Sequence, residues 1–357
     1  MRMYRFIFII FVFTSCNRQG VYELNFEKNY FVSGEVILQS NADIQRLIPV
    51  GNYLIALQAK DEYFIKVYDS ENLKELGEFA RKGRGPDEFP TTFIIDRIFQ
   101  CDNIAYIWAH DLNAGMLCKI NINESLKKQT TIIDQKFKTK AESGFFMAFF
   151  IDSNKIIGRS TNSIPHMYRL QMYNPQQDVI TKTVPLFPVV KKMSDDLDFV
   201  YRKYNYLYTS HIGLKNDKTK IASAMSAFNR IDIFDTDGIL EKSVLEGAEI
   251  PKDDIQSYLA AEIGDNRALM IHYNAIYTTD NYIYALYYGQ AKSDYAMKLI
   301  ETEIRIFDWA GKPLSKIKVP DYLLNFSIDE ERGLMYGVDY SNGKSLQYDI
   351  KKIIYEF

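Results

Sequence analysis

The sequence is poor in the residues that carry metal, redox and disulfide chemistry. Its 357 residues include three cysteines, four histidines and two tryptophans. Cys16, Cys101 and Cys118 have neither the number nor the spacing of a disulfide framework, a metal site or a redox motif. No Gly-x-Ser-x-Gly elbow and no His-Glu-x-x-His occurs. Eighteen glycines and ten prolines are too few for a low-complexity chain. Charge of one sign is also missing: 43 basic side chains face 46 acidic ones, a net of -3. No basic field is available to attract nucleic acid. These absences weigh against an enzyme, and no catalytic residue, metal or cofactor is expected.

Aromatic residues are plentiful. There are 26 tyrosines and 23 phenylalanines, in a chain that is 47% hydrophobic and 25% charged. That balance fits a globular protein, and the tyrosine and phenylalanine excess favours strands.

Beyond Phe13 there is no long apolar run. Residues 1–16 read MRMYRFIFIIFVFTSC, with Arg2 and Arg5 ahead of eight apolar residues, Phe6 to Phe13. As a helix that run covers about 12 Å, against roughly 30 Å for a bilayer core. It reads as the apolar centre of a secretory signal rather than a membrane span. Phe13-Thr14-Ser15-Cys16 resembles a relaxed bacterial lipobox, with Phe13 where leucine is usual. The resemblance implies cleavage before Cys16 and lipidation of Cys16. Cys101 and Cys118 flank one predicted hairpin turning near Leu112. That turn places Cys101 opposite about Ile122, so two buried free thiols are expected rather than a disulfide.

After residue 45 a unit recurs. Each copy has a polar turn, an apolar strand, a gap, and a strand ending in an apolar or aromatic residue followed by Asp or Asn. The ends are Tyr68-Asp69, Ile120-Asn121, Tyr173-Asn174, Phe234-Asp235, Phe307-Asp308 and Tyr348-Asp349. The intervals between the polar marks are 52, 53, 61, 73 and 41 residues. A period near 50 with several short strands per unit predicts a six-bladed β-propeller. The terminal Asp or Asn is expected to open the next turn, its side chain bonding the backbone ahead. Alternation in Ile231-Asp232-Ile233 and Ile304-Arg305-Ile306 predicts strands with one buried and one polar face. Glu35 to Gln39 is expected to supply the outer strand of the last blade, closing the ring.

Two intervals are long, and the surplus has helical character. 'SDDLDFVYRKYNYLY' from Ser194 predicts a helix between blades 3 and 4. Ile255, Leu259 and Ile263, ahead of Gly264, predict another between blades 4 and 5. Both inserts are expected on one rim, where binding residues favour such loops. The organisation predicted is a signal peptide over 1–15, a lipidated tether over 16–34 and an all-β propeller over 35–357.

Three segments carry a resemblance: 'ARKGRGPDEF' (80–89), 'KNDKTKIASAM' (215–225) and 'YNAIYTTDNYIYALYYG' (273–289). With the blade spacing and the Cys16 motif, the chain resembles the TolB-like six-bladed propeller lipoproteins of Bacteroidetes. The resemblance implies a propeller in the cell envelope, with no catalytic residue to carry over. Surface-bound lipoproteins of that group often carry acids just after the lipidated cysteine. Here Asn17-Arg18-Gln19-Gly20 follows, and Glu23 is the first acid. The periplasmic face is therefore favoured over the cell surface.

Candidate binding residues fall in two places. Arg81, Arg84, Asp87 and Glu88, with Lys82, surround Gly83-Arg84-Gly85-Pro86. This is no phosphate loop: no Gly-Lys-Ser/Thr follows, and Pro86 removes a donor. It reads as a turn between blades whose charges form an ion network or meet a ligand at the channel mouth. His211 and His272 each precede the first strand of a blade and form the only credible metal pair, without a third ligand. Asp235-Thr236-Asp237-Gly238 reads as a hairpin turn, because Ile233 and Val244 stand where calcium ligands belong. Tyr282 and Tyr284 share one face and read as blade core rather than a sugar platform. The expected function is a lipid-anchored envelope propeller acting as a binding or scaffolding module. Its partners would be the membrane through the lipid, and an envelope protein or a glycan. The alternatives are a metal-dependent lyase or hydrolase at the channel, and a glycan-binding accessory protein.

Overall fold

The computed structural model describes residues 23–38, 44–85, 88–90, 93–111, 115–139, 144–160, 168–185, 207–247, 270–291 and 302–357. Six antiparallel sheets follow one another as blades. Blade 1 is β3 (Ile44–Val50), β4 (Tyr53–Gln58), β5 (Tyr63–Asp69) and β6 (Glu75–Arg81). Blade 2 is β7 (Phe93–Cys101), β8 (Ile104–Asp111), β9 (Met116–Asn121) and β10 (Ile133–Lys138). Blade 3 is β11 (Phe145–Asp152), β12 (Lys155–Ser160), β13 (Tyr168–Asn174) and β14 (Val179–Pro185). Blade 4 is β15 (Ser210–Leu214), β16 (Lys220–Met225), β17 (Arg230–Asp235) and β18 (Leu240–Leu245). Blade 5 is β19 (Met270–Thr278), β20 (Tyr282–Ala291), β21 (Thr302–Asp308) and β22 (Pro313–Val319). Blade 6 is β23 (Leu323–Asp329), β24 (Leu334–Asp339) and β25 (Ser345–Asp349).

The start of the chain closes the ring. Strand β2 (Glu35–Leu38) pairs antiparallel with β25 and becomes the outer strand of blade 6, as expected. Strand β1 (Lys28–Phe31) pairs parallel with β22 and gives blade 5 a fifth strand. Part of the stretch expected to be a tether is thus sheet, and it covers an edge that would otherwise stay open.

The repeated polar marks do what their spacing suggests. Asp69 accepts from the backbone N–H of Glu71 and Asn72 at 2.9 and 3.0 Å. Asn174 accepts from Gln176 and Gln177, Asp235 from Asp237 and Ile239, and Asp308 from Ala310 and Lys312. Asp349 accepts from Lys351 N–H at 3.0 Å. Asn121 departs from the pattern by opening a helix. It caps α1 (Ile122–Lys128), accepting from Glu124 N–H at 3.0 Å. A second short helix, α2 (Lys351–Ile354), follows β25. The two helical inserts expected between blades 3–4 and 4–5 lie outside the described residues.

The residue before each mark fills a seam against the preceding blade. Tyr68 packs on Tyr336 and Val338 of blade 6, and Ile120 on Ile55 and Val67 of blade 1. Tyr173 shares a core cluster with Trp108 and Leu117, and Phe234 with Leu170 and Met172. Phe307 meets Ala222 and Ile233, and Tyr348 meets Ile304 and Ile306. All six are buried, each contributing about 1.5–3 kcal/mol on transfer from water. Tyr284 joins the same core at the seam of blades 5 and 6.

Two expectations need correction. The alternation in β17 and β21 does not mark a solvent-facing side: Arg230, Asp232 and Arg305 are buried with their apolar neighbours. In a ring, middle strands are covered on both faces by neighbouring blades, so the polar residues meet each other instead. Cys118 is a buried free thiol, its pKa pushed up to about 11 by burial. Cys101 is free but exposed. It ends β7, one strand before the β8–β9 hairpin, at a turn where Asp102 and Asn103 both take positive φ.

Candidate functional site

The first strand of every blade lines the axis, and the last turns of these strands enclose a cavity of about 750 Å³. Isoleucines stand around it (Ile48, Ile95, Ile98, Ile212, Ile276 and Ile328), but the surface it exposes is more polar than apolar. Four cations line it, namely Arg46, Arg97, Lys218 and Arg332, and four acids, Asp280, Asp329, Glu330 and Glu331.

Most of these charges are engaged. Arg332 donates to Asp329 and to the Gly51 carbonyl, each at 2.8 Å. Glu330 accepts from the Thr279 hydroxyl, from Tyr284 Oη at 2.9 Å and from Asn281 Nδ2 at 3.1 Å. Lys218 Nζ donates to the Ile151 carbonyl at 2.8 Å. Burial and the nearby Arg97 lower its pKa, and Asp152 opposes them. Arg97 Nη2 reaches across the axis to the Asn216 carbonyl at 2.7 Å. Burial lowers its pKa while Asp280 and Asp217 offset part of the cost.

Arg46 differs. Its Nε is shut off from solvent and has no hydrogen-bond partner, and Arg97 Nε is in the same condition. Burial lowers the Arg46 pKa. Tyr277 is pushed up to about 12, mainly by burial, so its hydroxyl keeps its proton at neutral pH.

The residues singled out from the sequence lie elsewhere. Arg81, at the end of β6, pairs with Glu62 at 2.8 Å and Glu88 at 3.6 Å. Glu88 accepts from Gly85 N–H at 2.9 Å, and a Cβ at Gly83 would overlap its carboxylate. Backbone bonds from Gly83 to Phe89 and from Phe89 to Arg81 staple the loop to the outer edge of blade 1. Arg84 and Glu88 therefore line a separate crevice of about 630 Å³ with Lys136 and Lys138 of β10, not the axial cavity. Asp87 lies outside the described residues, as do Cys16 and His166.

His211 and His272 do stand on neighbouring first strands, β15 and β19. Ser226 links them: its Oγ is 3.3 Å from His211 Nε2, and its carbonyl accepts from His272 N–H at 2.8 Å. Burial brings both imidazoles down to about 4, helped by Arg159 beside His211 and Arg305 beside His272. Among the described residues no group of three or more His, Cys, Asp and Glu could hold a metal ion. With its pKa brought to about 4, His211 is a weak base toward the Ser226 hydroxyl.

Sequence reasoning passed over Arg46 and Arg97. The signal was an arginine inside a first strand rich in isoleucine, in 'IQRLIPV' and, beside Asp96, in 'FIIDRIFQC'.

A family model described as TolB-like 6-blade propeller-like matches residues 44–331. A crystal structure of a DUF4221-family member from Bacteroides vulgatus aligns at a TM-score of 0.56. It shares 13% identity, over 93% of this chain and 98% of that one. A protein of Bacteroides fragilis whose name describes it as exported aligns at 0.49, with 11% identity over 90% of this chain and 98% of its own. No match was found among curated proteins. With the family model spanning the ring from the first strand of blade 1 to the first strand of blade 6, the chain belongs to the TolB-like six-bladed propeller family.

Proposed function

We propose that the protein is a lipid-anchored binding module of the cell envelope that takes its ligand into the axial cavity. The observation that carries this reading is the cavity itself. It is walled by all six blades, and its lining mixes isoleucines with a larger share of polar and charged groups of both signs. A volume near 750 Å³ falls within the range of small-molecule sites. The location rests on the sequence: the basic start, the eight-residue apolar run and Cys16. Among the described residues no helix is long and apolar enough to cross a membrane. The periplasmic face is favoured by the lack of acids just after Cys16.

Two measurements test this. Cys16→Ala should move the protein from the membrane fraction to the soluble one, and unchanged fractionation refutes the anchor. Compounds released by denaturing the purified protein should be lost in Asn216→Trp, which places an indole at the cavity mouth. Equal release from both proteins refutes the channel as the binding site.

A further inference from the structure

We propose that the outer edge of blades 3 and 4 is a membrane-contact surface, where Val179, Ile180, Ile239 and Leu240 enter the lipid interface and Lys182 and Lys242 meet its phosphates. The proposal rests on the lipid-anchored reading above and adds which side of the ring the anchor holds against the bilayer.

The first argument is a pattern repeated in the outer strands. Strand β14 opens on Val179-Ile180-Thr181-Lys182, and Ile239-Leu240-Glu241-Lys242 spans the start of β18. Strand β22 opens on Pro313-Leu314-Ser315-Lys316. Each copy is two apolar residues, a spacer and a lysine. In blade 5 the copy is covered, because β1 pairs along β22 and Leu314 packs on the core of blades 5 and 6. In blades 3 and 4 no described strand pairs beyond β14 or β18. Val179 is 43%, Ile180 40%, Ile239 57% and Leu240 44% exposed. Such a pair followed by lysine suits a lipid interface. The lysine stem lies along apolar surface, and its ammonium reaches the anionic headgroups.

The second argument is that the two pairs form one strip. A Cβ at Gly238, in the turn that leads into β18, would overlap Met172 and Val184 of blade 3. Met172 stands opposite Lys182 in its sheet. The acids beside the strip are already engaged. Asp178 accepts from the Tyr173 hydroxyl, Asp237 pairs with Lys155, and Glu241 pairs with Lys220 at 2.7 Å.

The third argument is the tether. Leu24 and Phe26 pack in the seam of blades 4 and 5, in one cluster with Val244 of β18 and Phe307 of β21. Glu27 pairs with Lys312 at 3.0 Å. A Cβ at neighbouring Gly311 would stand 3.0 Å from Lys242 Cγ. The chain therefore enters the ring beside the strand that carries Leu240. Leu240 is four residues before Val244, about 13 Å along a strand. Cys16 is seven residues before Glu23, which holds the lipid within about 25 Å of the described chain. The bilayer is thus brought to blades 4 and 5. It is kept from blade 1 across the ring, where Leu76 stands alone between Glu75 and Gly77. The axial cavity is lined by the innermost strands and stays clear of the lipid.

The test puts a tryptophan on each side of the ring in the full-length lipidated protein. Leu240→Trp lies on the proposed surface, and Leu76→Trp is the control at an equally exposed strand start. The parent supplies the baseline from Trp108 and Trp309, both buried. Each protein is reconstituted into vesicles of phosphatidylglycerol and phosphatidylcholine brominated in their acyl chains. Leu240→Trp should shift to shorter wavelength and be quenched at least about twofold more than Leu76→Trp. Lys182→Gln with Lys242→Gln should bring that quenching down toward the control, and no change overturns the role given to the lysines. Equal quenching of the two tryptophans, or an unquenched Leu240→Trp on protein that stays with the vesicles, overturns the proposal and leaves the anchor intact. Protein that does not stay with the vesicles refutes the anchor, and the proposal with it. A blue shift of Leu240→Trp already present without vesicles shows that protein, such as a second copy, covers the strip, and overturns the proposal as well.

Discussion

The fully buried carboxylate of Asp232 accepts from Arg230 Nε at 2.8 Å. The same carboxylate takes Arg169 from the neighbouring blade and the Ser243 hydroxyl. One aspartate therefore ties β13 of blade 3 to β17 and β18 of blade 4. Removing it leaves two buried guanidinium groups without their shared carboxylate. Asp232→Ala should cost about 3–5 kcal/mol, the usual penalty for breaking a buried ion pair from one side. Urea unfolding measures this. Asp232→Leu paired with Arg169→Met and Arg230→Met should recover much of the loss, because apolar replacement of a whole buried cluster is often neutral.

This cluster also marks the limit of what could be read from the sequence. The period, the six marks and the closing strand were legible, because each is local: an Asp or Asn bonds its own turn, and an edge needs a partner. The fate of the polar residues between Ile231 and Ile233 was not. Alternation reports two faces, and only the ring decides that both are covered. Helix α1 did have a signal, since Asn121 and Glu124 stand in the three-residue spacing of a capping pair. Arg46 could be seen as a lone charge in an apolar strand. That no carboxylate among the described residues pairs with it follows only from where six distant strands converge.

The turn-opening marks should be worth similar amounts wherever they occur. Asp235 and Asp308 each accept two backbone N–H groups that solvent would otherwise have to satisfy. Asp235→Ala and Asp308→Ala should each cost about 1 kcal/mol, the scale of a lost cap. The two positions lie on blades 4 and 5 without a shared partner among these bonds, so the double variant should lose roughly the sum. Denaturant midpoints with an unchanged slope would confirm a native-state effect.

His110 gives the fold a sensitivity to acid. Its ring is 1% exposed, neither nitrogen has a partner, and burial lowers its pKa from 6.5 to about 4. In the unfolded chain it takes up a proton near pH 6.5, which the folded ring refuses until about pH 4. Stability is therefore intact above pH 6.5 and is lost as pH falls toward 4. The full penalty is about 3 kcal/mol, from 1.36 kcal/mol per pH unit. His211 and His272, also brought down to about 4, lose stability in the same window, so His110→Phe should make this part of the stability–pH curve shallower by about a third while leaving stability at pH 8 little changed. A curve identical to that of the parent between pH 6.5 and 4 would show that the ring is protonated in the fold.

Closure of the ring makes the sharpest demand on the chain's early residues. Blade 6 supplies only three strands of its own, so β25 would present an open edge without β2. The two pairings are set close together, with β1 on β22 of blade 5 and β2 on β25 of blade 6. The chain crosses between them at residues 32–34, and there it runs against the Tyr348 ring. A Cβ at Gly34 would stand 2.7 Å from Tyr348 Cε1, and Tyr348 is wholly buried in the seam of blades 5 and 6. The ring has no room to yield, because its hydroxyl is held by Asp321 at 2.9 Å. Gly34→Val should therefore cost about 1–3 kcal/mol, the range for overpacking. Deleting everything before residue 39 should do more, exposing the edges of β22 and β25 to other chains. The expected result is a lower melting temperature and concentration-dependent association by light scattering. A deletion variant that stays monomeric and melts with the parent would mean that three strands suffice for blade 6, and that β1 and β2 do not hold the ring shut.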